Sequence, residues 1–394
     1  MDHSVAISCS RCRASDHARP NQRNRFVSHY AYHHGYFDGK EREFRGFGMV
    51  EQFDTEEFAF LEETSEKDCP TNEDSASHVP PVLTRTWFHT GAYLGQNRIS
   101  NYFAGFLNQH DRGEYYREPA DCCSDEDAQA ALGLLPDTIL PCDLTLHEER
   151  EASRALKGSM LRQEVYALDG SGTCEYPFGH PYTVTEQNFT VEKLQSKGDQ
   201  RHGVFFTHPR EVINYHYERN PVDPSISHAM TLEVDDYGNV LKETAIAYGR
   251  RQHIVTFDRL GRKQITPNPE LAKLDPYDAA KQTQTQITFT ENHFTNNTDA
   301  DGETGDQYLA PQVAGSSTFE LTGARVEGGA ERFSFEQWTR SDFELIRCAV
   351  EIPYESAVYQ KQSGETQKRL IECVRTQYRS DDAGGTRNGQ GKSH

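Results

Sequence analysis

Long apolar runs are what this sequence most lacks. None approaches the roughly 18 residues that a membrane-spanning helix needs. The N-terminal stretch MDHSVAISCSRCRASDHARPNQ has no apolar core of a signal peptide, so the chain reads as cytoplasmic on synthesis and as making no membrane contact of its own. Apolar residues reach only 35% with tyrosine counted, and mean hydropathy is −0.81. A parallel sheet buried on both faces needs near-continuous Val, Ile and Leu runs. Rossmann and TIM-barrel architectures are therefore excluded, and strands with one wet face are expected. Basic residues are also scarce, 41 Lys and Arg against 61 Asp and Glu, for a net charge of −20. Phosphate binding needs a basic stripe and none is present, which excludes nucleic acid as a partner.

Patterned chemistry is missing as well. The nine cysteines include Cys9-x-x-Cys12, but no second pair follows at metal-ligand spacing, and Cys122 and Cys123 are adjacent; reduced thiols are the expected state. There is no Gly-x-Ser-x-Gly, His-Glu-x-x-His, phosphate loop or dinucleotide fingerprint, and no cofactor is expected. His33 and His34 beside Asp38 and Glu41 suggest a metal site, yet adjacent residues of a strand point to opposite faces, so both read as structural.

What is present is strand chemistry: 19 Tyr and 21 Phe in a chain of 394 residues, long enough for two or three domains and a sizeable core. Val212–Tyr217 and His228–Val234 are strand-like, separated by Asn220-Pro221 and Asp223-Pro224, which start turns and end ladders. Asp235-Asp236-Tyr237-Gly238-Asn239 is a hairpin turn in which Gly238 and Asn239 supply positive φ, and the chain returns over Val240–Tyr248. A second turn, from Asp258 to Gly261, follows Ile254–Phe257. Near the start, Asp38-Gly39 marks another hairpin, followed by an alternation of Phe47, Met49 and Phe53. Extended structure is expected at Leu83–Gly91, Arg162–Ala167, Pro181–Val191, Gln282–Phe289, Ser317–Thr322 and Lys368–Arg379. A helix is expected from Thr145 to Met160. Thr145 and Glu148 form a capping box there, Ala152, Ala155, Leu156 and Met160 form a narrow apolar stripe, and the acidic residues read as a solvated face. Phe335, Trp338, Phe343 and Ile346 predict a second, short helix within Phe333–Ile346. Glu56–Pro81 and Asn292–Gln312 read as loops, and Asp121–Gln129 as a short helix.

The wording of these stretches resembles a known family. An aspartate, two variable residues, Gly, then Asn or Arg resembles the YD repeat of Rhs proteins. YAYHHGYFDGKEREFRGFGMVEQFDTE, TRTWFHTGAYL, LTLHEEREASRALKGSMLRQEVYALDGS and HPREVINYHYERNPVDP with HAMTLEVDDYGNVLK resemble the middle to C-terminal region of the B component of insecticidal Tc toxins, whose first part is SpvB-like. The resemblance covers about nine-tenths of the chain, which in turn looks like a slice of a much longer protein: a fragment, a decayed copy or a gene with misplaced ends. It implies a mainly β fold of long antiparallel hairpins in an Rhs shell, with a few short helices. The implied division is a disordered tail (1–24), a shell hairpin and acidic loop (25–82), the B-component middle/C-terminal region with the capped helix (83–260), further shell strands (261–380) and a second disordered tail (381–394).

Three functions follow as expectations. The resemblance implies a non-catalytic part of the wall of a hollow cocoon, secreted as a toxin complex, which encloses and helps translocate the toxic C-component cargo. Its partners would be the remaining B-component segments, the C component and, indirectly, the A component. The residues that matter would then be structural: Asp38, Gly39, Thr145, Glu148, Asp235, Gly238, Asn239, Asp258 and Gly261. An alternative is a carbohydrate-active β protein using Asp235/Asp236 or Glu148/Glu151, which would need two carboxylates facing across a cleft. The other alternative is a carbohydrate-binding module with Trp87 and Trp338 as platforms.

Overall fold

The structure, a computed structural model, describes residues 27–55, 81–95, 98–105, 113–118, 134–174, 176–257, 263–295, 310–327, 331–355 and 365–378. In chain order its strands are β1 (Val27–Asp38), β2 (Glu43–Thr55), β3 (Val82–Phe88), β4 (Met160–Ala167), β5 (Thr183–Gln195), β6 (Val204–His216) and β7 (Ser225–Val234). They continue as β8 (Val240–Ala247), β9 (His253–Phe257), β10 (Lys263–Pro267), β11 (Gln286–Phe294), β12 (Val313–Thr322), β13 (Val350–Glu351) and β14 (Gln367–Arg375). Three helices accompany them: α1 (Leu146–Ala155), α2 (Pro276–Gln282) and α3 (Phe335–Arg347). The expected class, mainly antiparallel β with short helices, is the one observed. The outer tails, the loop at 56–80, the segment 121–129, Cys9, Cys12, Cys122, Cys123, Asp258 and Gly261 lie outside the described residues.

The chain divides into two compact units. The first holds residues 1–208, 212–226 and 250–274, and the second holds 209–211, 227–249 and 275–394. In the first unit β1 to β6 neighbour one another in sequence order. The β1–β2 register pairs Val27 with Thr55 and Asp38 with Glu43, so the expected N-terminal hairpin spans both strands in full. Its turn is four residues long, and the left-handed position belongs to Arg42 (φ 54), not to Gly39. Helix α1 lays Ala152 and Leu156 against Met49, Trp87, Leu161, Phe189 and Val191. A second cluster gathers Val184, Ile213, Tyr215 and Tyr217 under Tyr116 and Leu135. Strands β9 and β10 form a separate two-stranded antiparallel ribbon, from Phe257 opposite Lys263 to His253 opposite Pro267.

Helix α1 starts as the sequence predicts. Thr145 Oγ1 accepts from the Glu148 amide (3.3 Å) and Glu148 Oε2 accepts from the Thr145 amide (3.0 Å). It ends earlier than predicted: Leu156 is the C-cap, the chain turns at Gly158, and Met160 already opens β4. The apolar stripe therefore stops at Leu156. Thr145→Ala should cost about 1 kcal/mol, read as a fall in the thermal unfolding midpoint with the spectrum of the folded protein unchanged.

The second unit arranges its strands as β7-β8-β11-β12-β14-β13. One face aligns Ile246 with Ile287 and Ile287 with Leu321, and these residues, with Met230, Leu232 and Phe289, bury Trp338 of α3. The spacing that predicted one helix contains a five-residue step from Trp338 to Phe343, which no continuous helix keeps on one face. The chain solves this by breaking α3 at Arg340–Phe343, where Ser341, Asp342 and Phe343 have φ of 52, 56 and 57. Sequence reading missed α2, although Asp275 caps it, accepting from the Tyr277 and Asp278 amides at 2.9 and 3.0 Å, and Pro276 opens it. That helix buries no residue, so it has no apolar stripe to announce it. The strand expected from Gln282 therefore starts at Gln286 and runs to Phe294, three residues into the expected loop.

Candidate functional site

Register decides the chemistry of the first unit's sheet. Glu51 pairs with Arg85, Arg85 with Glu164, Trp87 with Arg162, and Arg162 with Glu186. Side chains directly opposite in neighbouring strands share a face, so these residues form a band of alternating charge across one face of the sheet. At its outer end His33 Nε2 lies 3.1 Å from Glu51 Oε2, and Arg85 Nε 3.2 Å from Glu51 Oε1. That second separation lacks hydrogen-bond alignment, leaving Arg85 Nε without a hydrogen-bond partner, while the guanidinium stacks over Trp87 at 4.9 Å.

At the inner end the band is buried. Arg162 donates from Nε to Glu164 Oε1 and from Nη1 to Glu186 Oε2, both at 2.7 Å, and from Nη2 to the Tyr116 carbonyl at 3.0 Å. Glu164 Oε1 also accepts from the Tyr116 amide (2.8 Å) and its Oε2 from the Tyr166 hydroxyl (2.6 Å); Glu186 Oε1 accepts from the Leu135 amide (2.7 Å). Burial alone would lower the Arg162 pKa, but Glu164 and Glu186 outweigh it and hold it above the ordinary arginine value. Burial and the Glu164 charge push the Tyr166 hydroxyl above the usual tyrosine range. Each of these carboxylate oxygens is bonded, and none is open to exchange a proton with a substrate. The cavity beside them, lined by Asn101, Tyr115, Asp137, Glu186 and Asn188 among others, has a volume of ≈ 20 Å³, room for about one water.

The carboxylate pairs weighed for catalysis are turn and cap groups. Asp235 Oδ1 accepts from the Tyr237 and Asn239 amides at 2.9 and 2.8 Å and Oδ2 from the Asn239 side chain at 2.9 Å. Gly238 carries the positive φ (85), and Asn239 does not share it. Glu148 caps α1, and Glu151 accepts from His202 Nδ1 (2.7 Å) and the Gly203 amide (2.9 Å). The expected solvated face of α1 is instead covered: Glu148 and Glu149 are each 6% exposed, and the Tyr93 hydroxyl donates to Glu149. Asp38 Oδ1 accepts from the Lys40 and Glu41 amides, and the carboxylate pairs with Arg45. Trp87 and Trp338 are both fully buried, which removes them as exposed sugar platforms. His33 and His34 bind different partners, Glu51 and Glu114, and among the described residues no group of His, Cys, Asp and Glu is placed to hold a metal ion.

The second unit contains a smaller polar cluster that sequence reading also missed. Arg210 Nη2 lies 3.2 Å from Glu211 Oε1, Glu211 Oε2 lies 3.2 Å from His228 Nε2, and His228 Nδ1 shares a 3.2 Å contact with the Tyr248 hydroxyl. Arg210, Glu211 and His228 are all buried. No helix among the described residues is long and apolar enough to cross a membrane.

Residues 151–305 match the family described as insecticide toxin TcdB middle/C-terminal region, and residues 9–91 match the insecticide toxin TcdB middle/N-terminal region. Among solved structures, the crystal structure of TcdB2-TccC3 is similar at 26% identity and a TM-score of 0.53, covering 75% of this chain and 12% of that chain. The crystal structure of TcdB2-TccC3-TEV shares the fold with a TM-score of 0.60 at 23% identity, over 92% of this chain and 14% of that one. The Photorhabdus luminescens Tc holotoxin pore shares it with a TM-score of 0.55 at 23% identity, over 90% and 14%. The chain therefore spans about one-eighth of the length of the structures it matches. No curated protein matches it.

Proposed function

We propose, for a chain that belongs to the Tc-toxin B components over residues 9–91 and 151–305, a structural and non-catalytic role. It supplies part of the wall of the hollow Rhs cocoon that a B component builds with its C component, enclosing the toxic cargo and helping to translocate it within a secreted complex. Its direct partners are the remaining B-component segments, the C component and the cargo. The A component is reached through the assembled toxin.

The carrying observation is the charged band across the sheet of the first unit. That face also holds buried apolar side chains, Met49, Leu83, Trp87 and Val184, but charged residues interrupt them on every strand from β2 to β5. Here Glu51, Arg85, Glu164, Arg162 and Glu186 run from strand to strand, tied to each other and to the backbone. Such ties stiffen a sheet with fewer apolar side chains than a wholly apolar core would use, which suits the low apolar content of the chain. The same saturation of the carboxylates supports the non-catalytic reading, since a general acid or base must reach a substrate proton.

The test is a chimera. Residues 27–378 replace the matched stretch of TcdB2, co-expressed with TccC3, and the assembled complex is treated with protease. Cargo that survives while exposed regions are cut supports the wall role. An assembled chimera whose cargo is digested overturns it, and glycan hydrolysis by the purified chain overturns the non-catalytic part.

A further inference from the structure

We propose that the His34–Glu114 ion pair is a latch that holds a left-handed kink in the edge strand β1 and so closes that edge to strand addition by a second copy of this chain. The inference concerns the chain by itself and does not rest on its role in a cocoon.

Strand β1 is twelve residues long and, among the described residues, pairs along one edge only, with β2. Natural edges are blunted with lysine, proline, inward charges or bulges. The sequence VSHYAYHHGYFD has no Lys, Arg or Pro, and its one carboxylate, Asp38, is tied to Arg45. From sequence this run reads as unprotected. Two copies meeting antiparallel along it would bring no like charges together, so a second copy is the partner this edge fits.

The structure supplies a different guard. His34 stands in the left-handed region (φ 56) in the middle of β1, and just beyond it the register slips between Gly35 and Phe37, opposite Gly46 at φ 103. A left-handed residue turns its peptide planes out of the ladder and spoils the alternation of donors and acceptors that an incoming strand needs. Room for the kink comes from Gly48, where a Cβ would lie 3.1 Å from the His34 Cβ and 2.7 Å from Phe103 Cζ. The ring of His34 rests on Phe103 at 5.3 Å between centroids, and its Nε2 lies 2.8 Å from Glu114 Oε1. Glu114 is anchored in turn by Trp87, whose Nε1 donates to Oε2 at 2.9 Å. Of the other charges nearby, Arg85 opposes protonation of His34, while His33 and Glu51 engage each other at 3.1 Å.

This geometry makes the latch sensitive to pH. The hydrogen bond that His34 donates to Glu114 raises the His34 pKa against the opposing effect of burial. Burial would raise Glu114, but its bonds to His34 and Trp87 bring it below the ordinary value. The His34 contribution is complete below the unfolded histidine pKa and is lost as pH rises through the raised folded value. The Glu114 contribution is present above the unfolded carboxylate pKa and is lost as pH falls through the lowered one. The latch is therefore shut between roughly pH 5 and 6.5 and opens on the alkaline side.

The test compares the full chain with Glu114→Gln and His34→Asn at pH 6 and 8.5, by sedimentation velocity and by amide exchange corrected for the intrinsic rate. Wild type should be mainly monomeric at pH 6 and associate at 8.5, with a loss of protection around His34 and Gly35. Glu114→Gln should associate at both pH values. Asparagine accepts left-handed backbone without a titrating charge, so His34→Asn should lose the pH dependence. Equal association of wild type at both pH values overturns the proposal, as does an unchanged pH response in Glu114→Gln. If Glu114→Gln proves unfolded by circular dichroism, the His34→Asn arm decides, and a retained pH response there overturns the latch.

Discussion

Replacing Arg162 with methionine is expected to destabilise the first unit by about 3–5 kcal/mol, the cost of removing one partner from a buried ion pair. Methionine keeps most of the volume, so the loss isolates charge and hydrogen bonding from packing. Glu164 and Glu186 would then face each other's field in the interior without the guanidinium that now bonds to both. Arg162→Lys should recover only part of the loss, because an ammonium cannot fork between two carboxylates and the Tyr116 carbonyl. Urea unfolding at pH 7, with amide exchange at residues 160–167, measures the loss. A variant within about 1 kcal/mol of wild type at pH 7 would show that the band is incidental to stability.

Gly91→Val is expected to cost more than Gly238→Val, the reverse of the order that turn motifs suggest. Both glycines have positive φ, 75 and 85, and a β-branched residue is strained there by about 1–2 kcal/mol. Gly91 carries a further penalty. Its Cβ would lie 3.1 Å from Arg45 Nη1, 3.2 Å from Arg154 Cα and 3.4 Å from Lys157 Cβ, against the end of α1. Overpacking a filled site adds about 1–3 kcal/mol. The Gly91 amide also donates to His89 Nδ1 at 2.9 Å and its carbonyl accepts from Arg45 Nη1 at 2.8 Å, so a shift to relieve the clash would disturb two bonds of a buried site. Thermal unfolding of the two variants side by side checks the order. Equal losses would mean that backbone strain alone sets the cost and that the α1 contact yields freely.

Local sequence determined what depends on a few neighbouring residues. The capping box of Thr145 and Glu148 starts α1 because its partners are three residues apart and nothing distant is needed. The Asp235 turn forms because the carboxylate reaches amides two and four residues on. Alternating aromatic and β-branched residues were enough to place most strands, and the low apolar content was enough to exclude doubly buried sheets. Tertiary structure alone decided which charges meet. Period-two alternation puts Arg85 between Leu83 and Trp87, and Glu51 between Met49 and Phe53, but it does not say that Arg85 lies across from Glu51 and Glu164. That depends on the register of strands far apart in the chain. A slip of one residue would move each charge to the other face. The same holds for the acidic residues of α1, which read as solvated until Tyr93, His202 and Gly203 come to cover them. It holds too for His34, whose left-handed backbone depends on a glycine in the next strand and a carboxylate eighty residues away. Local structure follows from sequence-near hydrogen bonds. The charged band and the kinked edge follow from contacts whose loop-closure cost is met only when the whole sheet assembles.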